Sequence, residues 1–156
     1  MNTKMKRVFS VLAILACIAC GGDDELTEAQ QLAKDLQIID NYLSANGIAA
    51  QEDPSGLRYV ITTLGTGVKP TLSNTVVVKY TGKFFDGSVF DSATSTPATF
   101  KLSNLIEAWK IGFQLLPEGS VGTLYVPSGL GYGKSGIGPI PPNANLIFDV
   151  ELVEVR

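Results

Sequence analysis

The chain has 156 residues, 45% of them apolar, with 12 basic and 15 acidic side chains and a net charge of −3. That is enough for one compact core and too little for two comfortable domains. It has no histidine, and its two cysteines, Cys17 and Cys20, both lie in an apolar N-terminal stretch, which excludes histidine proton shuttles, Cys/His nucleophilic dyads and Cys/His zinc sites. No phosphate-binding glycine loop occurs, and Asp23, Asp24 and Glu25 lack the ligand spacing of a calcium loop, so neither a metal nor a cofactor is expected.

Lys4, Lys6 and Arg7 precede an uncharged run from Val8 to Ala19. A basic start followed by an apolar run too short to span a bilayer is the pattern of an export signal, here residues 1–19. The run ends in small residues and Cys20, followed by Gly21, Gly22 and an acidic cluster. That order resembles a bacterial lipoprotein signal, which implies cleavage before Cys20 and a fatty-acid (palmitate) anchor on it. Cys17, after Ile14, Leu15 and Ala16, also fits the pattern, but the Gly-Gly-acidic tether favours Cys20. A non-lipidated signal peptide and a buried core helix are the alternatives, and the three basic residues argue against the helix. The resemblance implies a bacterial envelope protein held on a membrane by lipid. Gly21 stands where an aspartate commonly retains such proteins in the inner membrane, so the outer membrane is the expected address. Loss of the three basic residues deepens the net charge from −3 to −6, which disfavours nucleic acid and anionic membrane surfaces as partners.

Residues 20–26 read as a tether. Thr27 is then placed to cap a helix running to about Ala45, with Glu28 in the first turn and Asn46-Gly47 at the end. Ala29, Leu32, Leu36, Ile39 and Leu43 recur at helical spacing, widened by Ile38 and Tyr42, so one face needs a partner. Its own domain is the favoured partner, because the repeat is short for a coiled coil; a dimer through this helix is the alternative. Residues 27–50 are read as this helix and its linker, and the domain is placed over 51–156, opening on an acidic, Pro- and Gly-containing linker stretch at 51–56. Candidate strands are Leu57–Leu64, Thr75–Phe85, Ala98–Leu102, Gly122–Pro127 and Asn145–Val155, with Asp86-Gly87 a hairpin turn. Leu146, Phe148, Val150 and Leu152 share one face of the last strand. Leu105, Ile106, Trp109 and Phe113 follow helical spacing, which places a short helix on the concave face of an antiparallel sheet and makes the domain α+β.

Several segments, in order, resemble the FKBP-type peptidyl-prolyl cis/trans isomerases: Val78-Lys79-Tyr80-Thr81-Gly82, Asp86-Gly87, Val89-Phe90-Asp91-Ser92, Leu105-Ile106-Glu107-Ala108-Trp109, Gly131-Tyr132-Gly133, and Ile140-Pro141-Pro142-Asn143-Ala144 leading into Leu146 to Leu152. The resemblance implies a five-stranded antiparallel half-barrel wrapped on a short helix. It also implies a pocket with Trp109 as floor, Tyr80, Phe90, Phe148, Ile106 and Leu105 as walls, Tyr132 at the rim and Asp91 as the polar group. Ala98 stands where family members often carry an aromatic residue, which implies a wider pocket edge. By the same resemblance the Ile140 N–H and the Tyr132 hydroxyl would hold substrate carbonyls, and Asp91, as a partly buried carboxylate, would bond Tyr80.

An aromatic hollow suits a proline ring, whose C–H edges meet π-faces. Each aromatic taken alone is more often a core residue than a site residue, and only their shared membership in the motif points to a site. Prolyl isomerisation breaks no covalent bond and transfers no proton, so a chain without histidine is equipped for it. The expected activity is isomerisation of Xaa-Pro bonds in envelope proteins during folding, with FK506-like macrolides as inhibitors. The alternatives are a low-turnover module or chaperone binding proline-containing segments, and a surface adhesion or assembly partner in which the tether and helix matter most.

Overall fold

The computed structural model describes residues 25–156; the expected signal, Cys17, Cys20 and the tether through residue 24 lie outside the described residues. Helix α1 (Glu28–Ala45) begins where the sequence places it. The Thr27 side chain accepts from the Gln30 N–H and the Gln30 side chain accepts from the Thr27 N–H, so two of the orphan donors of the first turn are satisfied. At the other end Asn46 closes the helix and Gly47 turns at φ +64°.

The strands are β1 (Gln51–Glu52), β2 (Arg58–Thr63), β3 (Thr75–Phe84), β4 (Val89–Lys101), β5 (Val121–Val126) and β6 (Leu146–Val155), and α2 (Glu107–Leu115) lies between β4 and β5. They form one antiparallel sheet in the order β1-β2-β5-β6-β3-β4. The sheet therefore has six strands where five were expected. The sixth is the two-residue β1, which pairs Gln51 and Glu52 with Tyr59 and Arg58 inside the segment read as a linker. The β3–β4 hairpin turns at Asp86-Gly87 as its chemistry predicts, with Gly87 at φ +89° and the Asp86 carboxylate accepting from Ser88.

Strand β4 is longer than the expected Ala98–Leu102. Its first part pairs Ala93 with Tyr80 and its second pairs Ala98 with Val78, so residues 94–97 bulge opposite Lys79. Pro97 is tolerated there because β4 is the outermost strand. Helix α2 is shorter than the helical spacing suggests. Leu102–Asn104 form a one-turn 3-10 helix, Leu105 and Ile106 are extended, and Ile106 is the residue that caps α2.

Two apolar layers cover the sheet. On the inner face α2 contributes Trp109 and Phe113, buried with Val76, Val78, Leu124 and the inward row Leu146, Phe148, Val150 and Leu152 of β6. On the outer face α1 buries Ile39 and Leu43 against Tyr125 and Ile147, and Tyr42 meets the Phe85 ring edge-on at 4.8 Å. The partner of the α1 stripe is thus its own domain, leaving Ala29 and Ile38 exposed.

Two polar ties fix the helix more firmly than this apolar contact alone. Asp35 is 1% exposed and accepts from the Ser128 N–H at 2.9 Å, the Ser128 hydroxyl at 2.6 Å and the Gln31 carboxamide at 2.7 Å. Arg58, nearly as buried, donates to both carboxylate oxygens of Asp40 at 3.0 and 3.3 Å, a two-point match that only a guanidinium makes. Buried polar groups are costly when left without partners. Asp35→Ala is therefore expected to lower the unfolding free energy by about 2 kcal/mol, read as a lower urea midpoint with an unchanged slope.

Candidate active site

Trp109 is 4% exposed and sits among four rings that meet it nearly perpendicularly: Tyr80 at 5.0 Å, Phe113 at 5.2 Å, Phe148 at 5.4 Å and Phe100 at 5.9 Å between centroids. Edge-to-face packing of this kind places positive ring edges on negative faces. The indole N–H of Trp109 is the one buried side-chain polar atom with no hydrogen-bond partner among the described residues. The rings around it offer only their weakly accepting faces.

Phe90 extends the cluster, meeting Phe148 at 5.7 Å and 88°. It reaches that position because residue 82 is glycine: a Cβ there would stand 2.5 Å from the Phe90 ring and 3.1 Å from Phe148. Leu105, Ile106 and Tyr132 are half-buried hydrophobics packed against the same core, and Ile140 lies within it. Ala98 is half-buried opposite Val78, two residues from Phe100 on the same strand face. Of the residues expected in the pocket, Tyr80 and Phe148 are thus brought onto Trp109 and Phe90 onto Phe148, while Leu105, Ile106, Tyr132 and Ile140 share their core and Ala98 lies on the outermost strand.

Phe100 was not among them. Its alternation with Ala98 and Leu102 along a predicted strand was the available signal.

The polar part of the site departs from expectation in two respects. The Tyr80 hydroxyl does donate to Asp91, at 2.6 Å, but Asp91 is exposed rather than partly buried, because it lies on the outermost strand. The Ile140 N–H, expected to hold a substrate carbonyl, already donates to the Ile137 carbonyl at 2.8 Å, while the Ile137 N–H returns a bond to Ile140 at 2.9 Å. That closed loop needs Gly136, at φ +61°, where a Cβ would stand 2.3 Å from the Ile140 carbonyl oxygen. The Ile106 N–H, by contrast, has no partner among the described residues. It precedes the first turn of α2, where amides lack intrahelical acceptors.

Burial, joined by the hydrogen bond to Asp91 and its charge, pushes the Tyr80 phenol up to about 12. Tyr132 is raised by burial and by the same carboxylate. Both hydroxyls thus keep their protons and remain donors through the physiological range.

Residues 67–153 match the model of the family described as FKBP-type peptidyl-prolyl cis-trans isomerase. This chain belongs to that family. It is 47% identical over 124 residues to the outer membrane protein MIP of Legionella longbeachae, covering 75% of this chain and 52% of that one. It is 41% identical over 146 residues to the isomerase FkpA of Aeromonas hydrophila, covering 86% and 54%. The chain spans about half the length of these curated relatives. Among solved structures, a peptidyl-prolyl cis-trans isomerase from Pseudomonas syringae superposes with a TM-score of 0.72 at 33% identity, over 86% of this chain and 98% of that one.

Because the native Tyr80 phenol holds its proton more tightly than its ordinary value of 10.0, its contribution to stability is complete below that value and is lost as the pH rises from about 10 to about 12. Spectrophotometric titration of the folded protein should show a tyrosine ionising near pH 12 that disappears in Tyr80→Phe. Unfolding free energy should fall less steeply over that window in the variant than in the wild type.

Proposed function

We propose that this protein is a peptidyl-prolyl cis-trans isomerase acting on Xaa-Pro bonds of extended polypeptides, folding envelope proteins among them. The observation that carries this is the ring cluster on Trp109 with the Tyr80–Asp91 pair at its edge, in a chain whose family model describes that activity.

The chemistry asked of the site is modest. An Xaa-Pro amide must twist through a barrier of about 18–20 kcal/mol while losing resonance, and the twisted amide is less polar than the planar one. A prolyl ring seated on Trp109 and walled by Tyr80, Phe90, Phe100 and Phe148 leaves water behind, which favours the twisted form over the planar ground state. The Ile106 N–H and the Tyr132 hydroxyl are the donors placed to hold carbonyls on either side. Asp91 orients Tyr80 and faces the rotating amide. The walls Leu105 and Ile140 and the small Ala98 shape the room for the residue preceding proline. No group is asked to gain or lose a proton.

A protease-coupled or NMR-exchange assay on an Xaa-Pro tetrapeptide should show acceleration blocked by an FK506-like macrolide, with kcat/KM flat between about pH 6 and 9, because no step needs an acid or base. Asp91→Leu should lower kcat/KM about tenfold, equivalent to about 1.4 kcal/mol of barrier. Its stability should fall by no more than about 1 kcal/mol, the worth of the one hydrogen bond from Tyr80 that an exposed Asp91 accepts. No acceleration by the wild type would replace this reading with that of a binding module.

The second part of the proposal is location: export by residues 1–19, lipidation at Cys20, and attachment to the outer membrane. The basic-apolar-cysteine order supports it, as does the name of the Legionella relative, an outer membrane protein. Mass spectrometry of the mature N-terminus should find an acylated Cys20; a free N-terminus at another residue would refute the anchor.

A further inference from the structure

One concavity of the described residues borders Tyr132. It is a groove of about 950 Å³ between the start of α1 and the loop carrying Ser128 to Ser135. We propose that this groove is a second binding site, which takes the stretch of extended polypeptide adjoining the proline held on Trp109. The inference rests on the isomerase reading and adds to it the site that holds the rest of the chain.

Continuity is the first argument. Tyr132 packs against the core that contains Trp109 and also lines the groove, so a chain leaving the proline site past Tyr132 enters the groove.

The lining is the second. Leu26, Leu32 and Leu130 offer apolar surface, and Ser55, Ser135 and Asn143 offer hydroxyls and a carboxamide. Such a mixture suits a backbone with occasional apolar side chains. Charge does not select for an ionic ligand, because Glu25 and Lys134 pair across the groove at 3.6 Å and Glu28 and Lys34 are also of opposite sign.

Rigidity is the third. The groove's two walls are α1 and the turn that begins at Ser128, and the buried Asp35–Ser128 bonds tie one to the other. A groove with its walls already fixed loses little ordering entropy on binding. Its volume also lies within the range of preformed ligand sites, roughly 300–1,000 Å³.

Gly129 gives a direct test. It is exposed and lines the groove, and a Cβ built on it meets nothing within 4 Å, so a side chain added there starts in open space. The substrate is a denatured protein whose refolding waits on one Xaa-Pro bond, compared with an Xaa-Pro tetrapeptide too short to reach the groove.

Gly129→Trp should keep tetrapeptide turnover within about twofold of wild type while raising KM for the long substrate at least about fivefold. A photoreactive benzoyl-phenylalanine at position 129 of the full chain should cross-link to that substrate. Equal loss on both substrates, or no loss on either, would overturn the groove, as would cross-links confined to residues 1–24 of the chain itself, which would make the tether the occupant. Failure of the wild type on the tetrapeptide would count against the isomerase reading alone, since the cross-link reports the groove without turnover.

Discussion

The site depends on the seating of one indole. Trp109 is carried by a helix of nine residues and is held by rings from three different strands, Tyr80 on β3, Phe100 on β4 and Phe148 on β6. Those strands are neighbours in the sheet although their residues are far apart in sequence. Removing the ring would leave a void shared by every element that builds the pocket, and such voids relax only in part. Fold and site are therefore the same set of contacts, and the pocket is as rigid as the core behind it.

This explains how a chain without histidine is fitted to the reaction proposed for it. Acid–base catalysis needs groups poised to exchange protons near neutrality. Here burial and Asp91 raise the Tyr80 and Tyr132 phenols instead, which keeps both as donors. The proposed site would act through shape, dryness and fixed dipoles, all of which come from packing. Helix α1 belongs to this economy as well: through Asp35 it grips Ser128, a few residues before Tyr132.

Much of this was legible in the sequence where a local rule decides the outcome. Thr27 as cap, Asp86-Gly87 as turn and the inward row of β6 follow from capping, turn chemistry and alternation. The assembly of Tyr80, Phe90, Trp109 and Phe148 followed from a resemblance spread along the chain.

The errors lie where tertiary context decides. Strand β4 was read short because residues 94–97 bulge and break the alternation. Strand β1 was read as linker because two residues carry no period, and only Arg58 and Tyr59 opposite them make a strand. The Ile140 N–H is given a substrate carbonyl by resemblance alone, and no sequence rule reveals that Ile137 claims it. Likewise, Asp91's place on an outermost strand, and hence its exposure, is settled by strand order.

That strand order has one more consequence. An open sheet ends in unpaired N–H and C=O groups that invite any extended chain to add itself as a new strand, a hazard for a protein whose proposed business is handling such chains. Here one edge is the two-residue β1 followed by the four residues of β2 that it leaves uncovered, Val60–Thr63, and the other is β4, interrupted by its bulge and by Pro97, which has no N–H to offer. Neither border thereby offers a long uninterrupted run of unpaired backbone, which limits the chance that an extended chain becomes part of the sheet.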